Sequence, residues 1–249
     1  MNLWIIRHAE SANNYLAETA AYHTYVSTRV ADPPITPRGE QQAACLAEHI
    51  AGSDLLEFTR GATHARGYGF TRLVCSPMLR TLQTAAPVGA ALGLPLEVWT
   101  EIHEHGGIFV GDPRREPGTE GAMCSQPGMA RAEIQLRFPG VQLPPAVTET
   151  GWWRGGYEEE AECVERAGLV AVRLVSLAEQ EPDARLALVT HGTFANHLLR
   201  ALLGVAEEAP MYFSHLNTGI TRVEFATDQF RILRYLNRVQ HLRPELISR

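Results

Sequence analysis

Three short runs of apolar residues punctuate the chain: Leu3-Trp4-Ile5-Ile6, Leu73-Val74-Cys75 and Leu186-Ala187-Leu188-Val189. Each is too short for a helix and does not alternate with polar positions, which predicts strands buried on both faces of a parallel sheet. A fourth strand is expected over 94–99. Two more are expected over 220–225 and 230–236, joined by a turn containing Asp228. Between the strands the apolar positions recur with helical spacing. Thr36 is a good N-cap, Pro37 takes the first helical position, and Ala43, Ala44, Leu46, Ala47 and Ile50 form the stripe that follows. Pro77 opens a second helix through Ala85. A third covers 157–180, with Glu158, Glu159 and Glu160 at its positive end. A fourth covers 193–203 and stops at Gly204. Residues 12–30 read as a short helix leading into an irregular segment, broken at Asp32-Pro33-Pro34. Strands alternating with helices predict an α/β three-layer sandwich, a mostly parallel central sheet with helices on both faces.

Two stretches follow neither period. Residues 61–69 hold three glycines and read as a mobile loop. Residues 111–156 are rich in Pro and Gly, with Trp152-Trp153 near the end. A structureless stretch of that length is unusual inside a compact domain. The expectation is one domain spanning 1–249, with an insertion at about 106–156. The polar tail after Asn237 is expected to be peripheral.

Composition narrows the function classes. A net charge of −6 and a pI of 5.9 leave no basic field for nucleic acid or an anionic membrane. All 22 basic side chains are Arg, with no Lys. Any anion held by a side-chain cation is therefore held by Arg or His, and Arg's planar fork suits phosphate and carboxylate. The four cysteines form no CxxC pair, which points to free thiols in a reducing compartment. The apolar run before Arg7 is too short for a signal-peptide core, and no run approaches membrane-spanning length. The expectation is a soluble, cytoplasmic protein. The oligomeric state is not legible in the sequence.

The candidate chemistry sits where strands end. The first strand ends at Arg7-His8 and the strand before Thr190 ends at His191. Cys75 leads through Ser76-Pro77 to Arg80, in the first turn of a helix, and the strand over 94–99 leads to Glu101 and Glu104. In a parallel sheet these edges share one side, where open α/β sheets place ligands. Two His, two Arg and a Glu gathered there suit a dianionic phosphate group. Taken singly, Arg7, His8 and Arg80 could each be ordinary surface residues. His103-Glu104-His105 also suits a metal, since an extended His-x-His pair puts both rings on one side. No second ligand pair at a familiar spacing accompanies it.

Four motifs, in order, resemble those of the histidine phosphatase superfamily, with its phosphoglycerate mutase-like fold. Arg7-His8-Ala9-Glu10-Ser11 with Asn14 resembles RHGxTxxN. Ile35-Thr36-Pro37-Arg38-Gly39 with Gln42-Ala43 resembles LTxxGxxQA. Cys75-Ser76-Pro77-Met78-Leu79-Arg80 with Gln83-Thr84-Ala85 resembles SSPLxRxxQTA. Val189-Thr190-His191-Gly192 resembles VSHG. Ala9 stands for the usual Gly and requires a backbone open to a Cβ. Ser11 stands for Thr and keeps its hydroxyl.

The resemblance implies a metal-independent phosphatase without cofactor, acting on a small phosphorylated molecule. His8 would be the nucleophile that carries the phosphoryl group. Arg7, Arg80 and His191 would hold the phosphoryl oxygens, and Asn14 would donate a further hydrogen bond. A carboxylate after the third strand would be the general acid, and Glu104 is preferred over Glu101 by its place in the family's pattern. A phosphomutase or a non-catalytic phosphate-binding module are the alternatives on the same fold. The mutases' NERHYGG-type stretch is not reproduced at 101–107. The insertion, with Arg114, Arg115, Trp152, Trp153 and Arg154, is expected either to cover the pocket as a lid or to have its tryptophans serve only as anchors to the core.

Overall fold

The computed structural model describes residues 1–53, 56–57, 65–226 and 230–249. Positions 61–64 of the glycine-rich loop and the Asp228 turn lie outside these. The elements in order are β1 (Asn2–Arg7), α1 (Ala12–Thr19), α2 (Tyr22–Thr28), α3 (Pro37–Gly52), β2 (Leu56–Glu57), β3 (Ala65–Arg66), β4 (Arg72–Cys75), α4 (Leu79–Leu92), β5 (Leu96–Val98), β6 (Phe109–Val110), β7 (Cys124–Ser125), α5 (Arg131–Arg137), α6 (Glu160–Gln180), β8 (Arg185–Thr190), α7 (Gly192–Leu203), β9 (Ile220–Phe225) and β10 (Arg231–Arg238). The central sheet has the order β10-β9-β1-β8-β4-β5. β1, β8, β4 and β5 are parallel, and β9 runs antiparallel between β1 and β10.

The apolar runs divide with the two-residue period of a strand. Trp4 and Ile6 of β1, Leu73 and Cys75 of β4, and Ala187 and Val189 of β8 pack with Leu46 and Ile50 of α3 and Leu82 and Val88 of α4. Leu3, Ile5, Val74, Leu186 and Leu188 face the other way, onto Val170 and Leu174 of α6 and Phe194 and Leu198 of α7. Each fully buried Leu or Ile contributes roughly 2 kcal/mol. Helices therefore cover both faces, and the strands cannot slip register without turning both sets of side chains over. The register pairs Arg7 with Thr190, and Cys75 with both Val189 and Val98. The parallel strands thus end level, and the residues just beyond them share one edge.

The observed elements depart from the expected ones in instructive ways. α6 begins at Glu160 rather than 157, because Glu159 and Glu162 close a capping box there. Residues 12–30 hold two helices. α4 continues through Pro87 to the left-handed cap at Gly93.

The 106–156 stretch is more ordered than its composition suggests. β6 and β7 pair, α5 is a short helix, and Gln142 extends the sheet beside Glu97. Ile108, Met129, Ile134, Val147 and Trp152 join the α3–α4 side of the core. The tail is not peripheral. Leu242, Leu246 and Ser248 are buried, and Gln42 Nε2 donates to Leu246 O at 2.6 Å and to Ser248 Oγ at 2.9 Å. Its apolar residues are too sparse to form a period, so pattern alone misses it. Among the described residues, no helix is long and apolar enough to cross a membrane.

Candidate active site

His8 leaves the end of β1 fully enclosed, 3% exposed. Its ring Nδ1 lies 2.7 Å from Ala9 O, and Arg80 Nε lies 3.2 Å from its Nε2. An acceptor at one nitrogen and a donor at the other fix the tautomer: Nδ1 carries the proton and Nε2 keeps its lone pair. Burial, then the charges of Arg80 and Arg7, hold the ring's pKa well below the ordinary 6.5, so the imidazole is neutral. The His8 carbonyl accepts from Asn217 Nδ2 at 3.0 Å, and Ala9 N donates to Thr84 Oγ1 at 2.9 Å. Ala9 has no left-handed backbone, so its Cβ is accommodated where the family's pattern has Gly.

His191 follows β8. Its ring centroid is 5.2 Å from that of His8, and its Nε2 contacts Ser76 Oγ at 2.9 Å. Burial, and then Arg80, keep it neutral as well. Arg7 donates from Nη1 to His215 O at 2.7 Å. Arg7 Nε and His191 Nδ1 are both buried without a hydrogen-bond partner. Arg80 sits in the first turn of α4. Asp32 accepts from Leu79 N at 3.0 Å and lies 3.8 Å from Arg80 Nη1, which supplies the side-chain cap that Met78 lacks. Burial pushes the Asp32 carboxyl up to about 6, against the pull of Arg80.

The two candidate acids part company. Glu104 Oε1 accepts from Phe194 N and His105 N, each at 3.0 Å, and Oε2 from Thr193 N at 3.3 Å. The carboxylate therefore sits on the N-terminal turn of α7. It also supports the charges of Arg7 and Arg80. Glu101 is instead paired with Arg173 of α6. Arg166 binds Glu158 through Nε and Nη2, at 2.7 and 2.6 Å, and donates from Nη1 to the carbonyls of Glu101 and His103. This clamps the turn that delivers Glu104. The His103 ring packs on Trp153 and the His105 ring on Tyr157, so the two imidazoles have different aromatic partners.

Asn14 accepts from Ser11 N at 3.1 Å within the capping box of α1, and from Asn217 Nδ2 at 3.4 Å. Of the insertion residues, Trp152 is core. Trp153 lies against Gly107, where a Cβ would come within 2.3 Å of the indole. Arg115 donates to Glu120 O, Arg154 to the hydroxyls of Thr148 and Thr150, and Arg114 stacks over Tyr22.

Sequence reasoning missed Asp32 and Asn217. Asp32 was legible only as a helix breaker. Asn217-Thr218-Gly219 carries a turn signal, but nothing local says that it braces His8.

Arg7, His8, Arg80, His191 and Glu104 thus converge on the edge where the parallel strands end, two guanidinium groups and one carboxyl group around two neutral imidazoles. The model of the histidine phosphatase superfamily (branch 1) matches residues 3–238, and the chain belongs to that family. A protein of Yersinia enterocolitica named probable phosphoglycerate mutase GpmB is 23% identical over 225 residues, covering 90% of this chain and 85% of the relative. Among solved structures, phosphoserine phosphatase of Entamoeba histolytica in complex with 3-phosphoglyceric acid superposes with a TM-score of 0.57 at 21% identity, over 96% of this chain and 98% of that one. The α-ribazole phosphatase of Shigella flexneri gives 0.58 at 19% identity, over 96% of each chain. At such identities the structural likeness establishes the fold.

Proposed function

We propose that the protein is a metal-independent phosphatase that hydrolyses a small phosphate monoester through a phosphohistidine on His8. The observation that carries this reading is the trio of His8 Nε2, Arg7 Nε and His191 Nδ1: a buried lone pair beside two buried nitrogens without partners. Two such polar atoms next to a neutral ring are costly unless a ligand satisfies them. A phosphoryl group brings three acceptor oxygens.

In the first step His8 Nε2 attacks phosphorus and the P–O bond to the alcohol breaks. Glu104 gives its proton to the departing oxygen. Glu104 Oε2 accepts only the longer of the amide bonds, which leaves it the oxygen able to hold that proton. In the second step Glu104 takes a proton from water, the water oxygen attacks phosphorus, and the P–N bond breaks to release phosphate and neutral His8. Arg7, Arg80, His191 and Asn14 hold the equatorial oxygens, and positioning with charge neutralisation supplies most of the rate. Splitting one displacement into two is what the covalent intermediate achieves.

A phosphomutase is the second reading, favoured by the relative named as a probable mutase. Hydrolysis is favoured because residues 101–107 do not reproduce the NERHYGG-type stretch of the mutases. The test is hydrolysis of para-nitrophenyl phosphate in EDTA by wild type and His8→Ala. Turnover that survives EDTA and vanishes with His8 supports the reading. Turnover abolished by EDTA, or retained by His8→Ala, contradicts it.

A further inference from the structure

Among the described residues, two non-glycine residues take a left-handed backbone, Thr218 with φ 56° and Asn237 with φ 54°. Asn reaches this region readily, whereas a β-branched Thr does so against steric resistance. Both lie at one joint. Asn237 Oδ1 accepts from Leu216 N at 2.8 Å, and a Cβ on Gly219 would come within 2.2 Å of that oxygen. Thr218 is fully buried, and its N–H is shared between Arg7 O at 3.1 Å and His8 O at 3.4 Å. Gly219 O accepts from Arg7 N at 3.2 Å. The strained residue thus holds the main chain of Arg7 and His8. Its hydroxyl contacts His241 Nε2 at 2.9 Å. The His241 ring stacks on His49, with centroids 5.5 Å apart, and its Nδ1 is buried without a partner. Burial, and then the neighbouring His49, hold its pKa down at about 4, so two neutral groups meet there. Strain persists only where the surroundings over-determine it, and it gathers at functional sites. Glycine would take the same φ freely. What Thr218 adds is a hydroxyl for His241 to grip.

We propose that Thr218 and His241 are positioning residues for Arg7 and His8. His241 fixes the Thr218 hydroxyl, the fixed side chain locks the left-handed turn, and the locked N–H sets the carbonyls of Arg7 and His8. Neither Thr218 nor His241 touches the substrate on this assignment. Releasing the turn moves the backbone from which the Arg7 guanidinium and the His8 imidazole project. Arg80 and His191 stand on other elements and keep their hold on the phosphoryl oxygens, so alignment suffers more than affinity. The assignment rests on the phosphatase reading of the site.

The test is turnover of para-nitrophenyl phosphate, with Tm read on each protein. Thr218→Gly adopts the turn without strain but loses the hydroxyl. His241→Phe keeps a ring against His49 but loses the nitrogen. Thr218→Ser keeps the hydroxyl. The expected result is a roughly tenfold lower kcat in Thr218→Gly and in His241→Phe, with KM within about twofold of wild type. Thr218→Gly shows no matching fall in Tm, because relief of the left-handed strain offsets the lost contact. The double variant loses no more than either single one, because both act through one contact. Thr218→Ser keeps kcat within about twofold of wild type, since its hydroxyl still meets His241. Unchanged kcat in either Thr218→Gly or His241→Phe overturns the assignment. So do losses that multiply in the double variant, or a Thr218→Ser as slow as Thr218→Gly. Losses of kcat that follow Tm from protein to protein also overturn it, and make the pair ordinary packing. An active wild type with unaffected variants ends this assignment alone, whereas a wild type without turnover ends the phosphatase reading and this assignment together.

Discussion

At the scale of single residues, burial keeps five imidazoles neutral. His8 and His191 are held well below their ordinary pKa, His103 at about 3, and His215 and His241 at about 4, each chiefly by burial. In the unfolded chain all five titrate near 6.5. Between that value and their folded values the unfolded state binds more protons, so stability falls as the pH falls. Asp32 acts in the opposite sense. Its folded carboxyl titrates at about 6, above its ordinary 3.8, so the folded state gains from acid across that interval. Five rings outweigh one carboxyl, and Tm should drop steeply between pH 6.5 and 4. A flat Tm across that range, by scanning calorimetry, would show that these rings are charged in the fold.

At the scale of elements, the first three motifs prove to be joints between loops. Glu10 N donates to Gln42 Oε1, Thr36 Oγ1 to Glu10 Oε1, Ile35 N to Gln83 Oε1 and Ala9 N to Thr84 Oγ1. The β1 loop, the start of α3 and the first turns of α4 are thereby fastened into one piece. Gly39 shows how tight the joint is, since a Cβ there would meet Glu10 O at 2.3 Å. Gly39→Ala should cost about 1–3 kcal/mol in urea unfolding, the range for overpacking a well-filled site. A cost near zero would mean that α3 can shift freely against β1.

Asp32 is the joint that pattern could not reveal, because its cap lies across space on α4. Asp32→Asn keeps an acceptor for Leu79 N and loses the charge facing Arg80. It should lower kcat/KM roughly tenfold with little change in Tm, whereas Asp32→Ala should also lose about 1 kcal/mol of capping. Equal activity in Asp32→Asn would remove Asp32 from the support of Arg80. The strands were legible in Leu3–Ile6 and Leu186–Val189 because two-sided burial leaves unbroken apolar runs. The helix starts were legible because Thr36 and Pro37 act locally. Joints such as Asp32 and Asn217 depend on partners far away in sequence, and no local signal marks them.

At the scale of the whole molecule, both ends of the chain support His8. Asn217, which holds the His8 carbonyl, accepts from Ser248 Oγ at 3.0 Å, and Ser248 and Leu246 in turn hold Gln42. The tail therefore closes a loop of hydrogen bonds around β1. Removing residues 244–249 should lower both Tm and kcat, and a truncated protein with unchanged kinetics would show that the tail only covers surface. The insertion has a comparable place: its apolar residues enter the core, while its Phe109 packs on Tyr157, which in turn meets His105 beside Glu104. It resisted sequence reading because its ladder strands are two residues long and its packing is set by turns rather than by a period.

The most direct measurement of the central claim is a rapid-quench experiment with a 32P-labelled aryl phosphate, followed by peptide mapping. The expected result is label on the peptide containing His8, stable to alkali and labile to acid as a phosphoramidate is, and none in His8→Ala. Product released at full rate with no label on His8, or label found on another residue, would contradict it.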